Sequence, residues 1–210
     1  EKATVDINRA LAAEPDNADF LQVAAQLALR QRKWDLAVQY AMKIQDVQPA
    51  LTAECCLVLI YAYEGQQRPL KSLDLLREVS PFLLADYLDL ILMKAEIQLN
   101  HSLFDELHET IASYALSYPQ QIDLRDYLEA RELLIRGDVE EAITKLTTVT
   151  QNSPKFDRAF FFLATAHLRA NNYSRAQNTL ETYLRKRPDD RRAKVLWDSV
   201  FGPAKNMDEI

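Results

Sequence analysis

Glycine and cysteine are almost absent from this chain. Three glycines (Gly65, Gly137, Gly202) in 210 residues leave no Gly-rich loop to cradle phosphate. Scarce glycine beside abundant Leu, Ala, Glu and Gln predicts helix nearly throughout. The two cysteines, Cys55 and Cys56, are adjacent, and helical neighbours point about 100° apart, which disfavours a bridge between them. With no disulfide framework the redox compartment stays open. Packing within a helix, one thiol inward and one near an exposed groove, is the plain reading of the pair; a redox role is the sharper one. There is no CxxC and no HExxH. His101, Asp105 and His108 have the spacing of a weak metal site only if His101 is helical, and Asn100-His101-Ser102 reads as a turn. His167 reads as locally satisfied. The Glu140-Glu141 pair reads as a helix start rather than as paired acids of a reaction site. No apolar run approaches the ~20 residues that span a bilayer, so no membrane insertion is expected. Neither a cofactor nor a metal is implied, and the chain reads as a non-enzyme.

Positive charge is also in short supply. Lys and Arg number 25 against 31 Asp and Glu, a net charge of −6, which discourages non-specific nucleic-acid binding. The imbalance is local: residues 157–194 hold nine basic and four acidic residues. Arg185, Lys186, Arg187, Arg191 and Arg192 cluster around Pro188. Favourable charge at a helix C-terminus plus a solvated turn accounts for the cluster; an acidic partner or a phosphate is the alternative.

What the chain does have is proline at nearly even intervals. Six of its eight prolines, Pro15, Pro49, Pro81, Pro119, Pro154 and Pro188, are separated by 34, 32, 38, 35 and 34 residues. A proline every ~34 residues in a helical sequence marks a solenoid of helical hairpins. Alanine recurs twelve residues before these prolines (Ala3, Ala37, Ala142, Ala176) and twenty-four before (Ala25, Ala95, Ala130, Ala164). Small residues at such places let two helices approach closely. Turns lie between the alanines, at Gln31–Trp34, Arg136–Val139 and Asn171–Ser174; Gly137 and Asn171 suit a left-handed helix end. Trp34 and Tyr173 open the second helices and are expected to pack back on the first. Asp16-Asn17 and Asp189-Asp190 are candidate caps for the helices that follow.

Small residues at the eighth and twentieth places and proline at the thirty-second resemble the tetratricopeptide repeat. The resemblance covers nearly the whole chain and is best over 18–51 and 157–190. It implies an all-α solenoid of antiparallel helical hairpins in one domain, 1–210. Its units are 1–17 (a second helix only), 18–51, 52–83, 84–121, 122–156 and 157–190, then a capping helix at 191–201 and a tail at 202–210. Two middle units depart from the pattern, with Leu59 and Ser72 in one and Leu107 in the other at small-residue places; altered packing or curvature is expected over 52–121. The chain opens within a repeat, as an excised fragment or mature form would.

In this family the first helix of each hairpin lines a concave groove. The resemblance therefore implies a partner-binding face at Gln22, Gln26, Leu29, Ile60, Tyr63, Leu92, Glu96, Tyr127, Arg131, Phe161 and Leu168. The Lys, Asn and Arg set with which relatives grip chaperone tails is missing. The apolar stripe of Ile60, Tyr63, Leu92, Tyr127, Phe161 and Leu168 suits an extended or helical peptide with apolar anchors. Packing against neighbouring hairpins is the competing account of each residue. The expected function is a non-catalytic scaffold binding a protein or peptide. By its Gln- and Ala-rich spelling it suits a bacterial assembly factor, cytoplasmic or periplasmic. The rival readings are a regulatory or substrate-recruiting part of a larger enzyme, and a module that self-associates through its end hairpins.

Overall fold

The computed structural model describes residues 2–48, 52–120 and 122–202, with Phe82 and Ala85 described in backbone only. Pro49 and the segment after Gly202 lie outside the described residues. The described residues are all-α, and their helices are consecutive antiparallel hairpins of the α-solenoid class. The chain gathers into two compact units, Glu1–Thr110 and Ile111–Ile210, the division falling inside one helix.

Unit 1 contains α1 (Lys2–Ala13), α2 (Ala18–Arg30), α3 (Trp34–Val47), α4 (Ala53–Gly65), α5 (Pro69–Glu78), α6 (Pro81–Asp86), α7 (Leu88–Asn100) and the first half of α8 (Phe104–Ser117). Asn17 caps α2, its Oδ1 accepting from the N–H groups of Asp19 and Phe20 at 3.1 and 3.2 Å, which satisfies donors the helix itself leaves open. Pro69 and Pro81 stand in the first turns of α5 and α6, where a missing N–H costs nothing. Ala25 and Ala28 of α2 meet Ala37 and Ala41 of α3 with essentially no side-chain exposure, so the two backbones come close. α4 is apolar on nearly every side because it serves two cores. Cys55, Val58 and Leu59 join the α2–α3 cluster; Cys56 and Ile60 join a second cluster with Leu73, Leu76 and Leu90.

The irregular stretch has a specific structural content. Ser72, where a small residue is expected, is fully buried and donates its hydroxyl to the Ile60 carbonyl at 3.4 Å. The 38-residue proline step holds the extra short helix α6 before α7 begins. Arg77 on α5 grips Glu106 on α8 through two hydrogen bonds, Nη2 at 2.5 Å and Nε at 3.1 Å. That fork geometry suits a carboxylate, and the hydrogen bond from Arg77 holds Glu106 below the usual carboxylate range.

Unit 2 contains the rest of α8, then α9 (Ile122–Arg136), α10 (Val139–Asn152), α11 (Asp157–Arg169), α12 (Tyr173–Lys186) and α13 (Arg191–Phe201). Ala142, Ala164, Ala176 and Ala193 are completely buried. The core is aromatic where that of unit 1 is aliphatic. Tyr127 on α9 meets Phe156 and Phe162 edge-on at centroid distances of 4.8 and 5.9 Å. Asp190 caps α13 through Oδ1, which accepts from Arg192 and Ala193 N–H at 2.8 and 3.2 Å.

The turn between the first and second helix of each hairpin is the most regular feature. Arg32, Gln67, Ser102, Gly137 and Asn171 all have positive φ, between 56° and 98°. They recur at spacings of 35, 35, 35 and 34, so the uneven prolines do not disturb them. In each case the next residue's N–H reaches back to a carbonyl in the helix just ended: Lys33 to Ala28, Arg68 to Tyr63, Leu103 to Gln98, Asp138 to Leu133 and Asn172 to His167, all at 2.8–2.9 Å. This closes the helix C-terminus.

Candidate partner-binding face

First helices of neighbouring hairpins sit side by side within a unit, α2 beside α4 and α9 beside α11. Whether a first-helix residue faces a partner depends on how far the next helix covers it. In unit 1, Gln26 is exposed, and Gln22, Leu29, Tyr63 and Glu96 are half-buried. Leu29 and Tyr63 lean on the α2–α3–α4 core, and the Lys71 ammonium lies 5.7 Å over the Tyr63 ring. Ile60 and Leu92, expected in the groove, are instead 0% and 5% exposed. They are inside because α4 and α7 are wrapped by neighbours on several sides.

In unit 2 the same correction applies to α9. Tyr127 is fully buried and Arg131 nearly so. The Arg131 guanidinium lies 3.5 Å from the centre of the Phe162 ring and donates to the Tyr127 hydroxyl at 3.0 Å. The two residues form an internal aromatic–cation stack that α11 closes over. Their neighbour in the pattern, α11, keeps its own face: Phe161, Thr165 and Leu168 are half-buried, and Arg158 and Arg169 exposed. These share one side of the helix by their spacing. Phe161 rests on Phe162 and Tyr183 at 5.2 and 5.6 Å, and the Arg192 guanidinium from α13 lies 5.3 Å over it. Arg158 stands outside the sequence-predicted set; its signal was its place one turn before Phe161.

The basic cluster around Pro188 is partly structural. Lys186 donates to the Pro154 carbonyl at 2.6 Å and, with Arg187, faces Asp157 at 3.6 and 3.9 Å. Arg185 pairs with Glu181 at 2.6 Å. The Lys186 and Arg187 contacts tie the end of α12 to the start of α11. Burial raises the Asp190 pKa, but hydrogen bonds from Tyr183 and from the Ala193 and Arg192 N–H groups outweigh it, so the net shift is downward. The Tyr183 hydroxyl, donating to Asp190 at 2.5 Å, is pushed up to about 12, chiefly by burial.

The reactive residue types are placed as follows. Cys55 and Cys56 are both buried, in different cores, so neither thiol borders a groove. Burial pushes them up to about 11 and about 12, leaving protonated, poorly nucleophilic thiols at neutral pH. His101 falls in the turn after α7. His167 differs from expectation: it is buried, and its Nδ1 has no hydrogen-bond partner among the described residues. Trp34 also differs, because its indole lies over Gly65 at the end of α4 in the following hairpin.

Residues 133–196 match the tetratricopeptide-repeat family model. Three solved structures are similar in fold. YrrB, described as a TPR protein with an unusual peptide-binding site, is 14% identical with a TM-score of 0.53, over 89% of this chain and 95% of that one. MamA is 13% identical with a TM-score of 0.56, over 83% of this chain and 94% of that one. Human IFIT1, a dimer with PPP-AAAA, is 16% identical with a TM-score of 0.53, over 87% of this chain but 45% of that one. No curated protein matches the chain.

Proposed function

We propose that this chain, which belongs to the tetratricopeptide-repeat family, is a non-catalytic protein-interaction array that holds a partner segment along the first-helix face of unit 2. The observation that carries the reading is the half-exposed row of Phe161, Thr165 and Leu168 on α11, with an aromatic and an aliphatic side chain at its ends. Half-exposed aromatic and aliphatic side chains on a rigid helix are suited to anchor an extended or helical peptide. Their backbone is fixed by the hairpin core, so little order has to be gained on binding. The Thr165 hydroxyl donates to its own helix, to the Phe161 carbonyl at 2.9 Å, so its proton is already engaged.

The test is a selection of binders from a displayed random-peptide library, followed by affinity measurement on the soluble protein. Phe161→Ala and Leu168→Ala should each weaken a selected peptide about tenfold, a loss of ~1.4 kcal/mol, with unchanged helical circular dichroism. Met42→Ala, on the exposed side of α3, should not change it. Selected peptides that bind both α11 variants as well as wild type would place the binding face elsewhere.

A further inference from the structure

We infer that the segment held at this face is acidic: a peptide that offers carboxylates to Arg158 and Arg192 and lays an apolar side chain on Phe161. This rests on the α11 reading above and adds the chemistry of the partner. Arg158 is exposed one turn before Phe161 on the same side of α11, and the Arg192 guanidinium from α13 lies 5.3 Å over the Phe161 ring. A guanidinium stacked on a ring keeps its N–H edge free, and that edge fits a carboxylate with two parallel hydrogen bonds.

No carboxylate of the described residues takes that edge. Some arginines of the unit find acids within reach: Arg125 with Asp126, Arg136 with Glu132, Arg185 with Glu181. Arg158 and Arg192 have no carboxylate at ion-pair distance among the described residues, and the Arg192 charge acts on Asp190 from farther off, helping to hold its pKa down. Two acids beside these arginines in the chain already have hydrogen-bond or ion-pair partners. Asp190 spends Oδ1 on the backbone of α13 and Oδ2 on Tyr183. Asp157 faces Lys186 and Arg187.

The wider charge distribution agrees. Residues 157–194 carry nine basic and four acidic residues, whereas 1–110 carries ten basic and seventeen acidic. An acidic segment is drawn to the first stretch and repelled by the second. Nucleic acid fits less well. A polyanion needs a continuing track of cations and a series of stacking platforms, and here the half-buried Phe161 ring is already covered by the Arg192 guanidinium.

Fluorescence anisotropy on the whole chain decides the matter, with three labelled probes: a short peptide of Glu and Leu, its Gln and Leu counterpart, and an oligouridylate. The Glu peptide should bind at least tenfold tighter than the Gln peptide, and more weakly as salt rises. Arg158→Gln and Arg192→Gln should each remove about tenfold of that affinity, as expected for loss of a charge-assisted hydrogen bond. Arg191→Gln, about 100° round the helix from Arg192, should change it little. Equal binding of the two peptides, tighter binding of the oligouridylate, or no binding of the Glu peptide overturns the inference. If library-selected peptides still require Phe161 and Leu168 but ignore both arginines, the acidic chemistry is wrong and the α11 face stands. If they ignore all four residues, both readings fall.

Discussion

The turn that closes each hairpin falls on Arg32, Gln67 and Ser102 in unit 1, and on Gly137 and Asn171 in unit 2. Backbone geometry is the same in all five, yet only the second set uses residues that tolerate positive φ readily. The cores differ in parallel. Unit 1 packs aliphatic side chains and two thiols around α4, whereas unit 2 stacks aromatic rings around the buried Arg131. The family model matches inside unit 2, where turn chemistry and small residues both follow the repeat. Hairpin geometry thus survives where local sequence preference has been abandoned, because packing between helices enforces it.

The largest expected effect that would break this comparison is in the aromatic core. Tyr127→Ala removes a fully buried ring and the hydroxyl that Arg131 donates to. It should cost ~3–5 kcal/mol, seen as faster hydrogen exchange across 122–202. Uniformly faster exchange in unit 1 as well would mean that the two units do not have separate stabilities.

A smaller loss is expected at the one close helix contact of unit 1 that needs glycine. A methyl at Gly65 would sit 2.7 Å from Trp34 Cε3, inside van der Waals contact. Gly65→Ala should cost ~1–3 kcal/mol by overpacking, measured by urea unfolding, and a smaller ring at Trp34 should relieve it. Additive behaviour of the two substitutions would show that the contact is not what sets the cost.

The turns offer the next step down. Gln67→Gly and Ser102→Gly should stabilise unit 1 by up to ~1 kcal/mol, and Gly137→Ala, at φ 98°, should destabilise unit 2 by ~1 kcal/mol. Thermal midpoints check both signs. Equal responses in the two units would erase the distinction drawn from their turns.

The smallest effect is one of pH. Burial, then Arg175, lowers the pKa of His167 below the ordinary imidazole value. The unfolded chain therefore takes up the proton first, near pH 6.5, and the stability of unit 2 falls as pH drops below that value. His167→Gln should flatten this slope in unfolding midpoints measured from neutral pH downward.

The sequence made the hairpins legible through Ala25, Ala37, Ala164 and Ala176, since helix contact demands small residues wherever the backbones cross. Gly137 and Asn171 announced their turns; Arg32, Gln67 and Ser102 did not, because no local preference of theirs is served by the conformation they adopt. The candidate face was legible only in part. The family resemblance gave the side of each first helix, and Phe161 and Leu168 lie at a surface. It did not reveal that Phe156 and Phe162 cover Tyr127 and Arg131, nor that neighbours on several sides cover Ile60 and Leu92.

By itself, then, the sequence determined the helical hairpin, its period of about 34 residues and the caps at Asn17 and Asp190, all of which follow from short-range steric and hydrogen-bonding rules. Tertiary structure alone decided which first-helix residues remain accessible, because exposure depends on the side chains of the next hairpin some 30 residues away. It also decided that Arg192 of α13 lies over the Phe161 ring of α11, a juxtaposition that spacing along the chain does not encode.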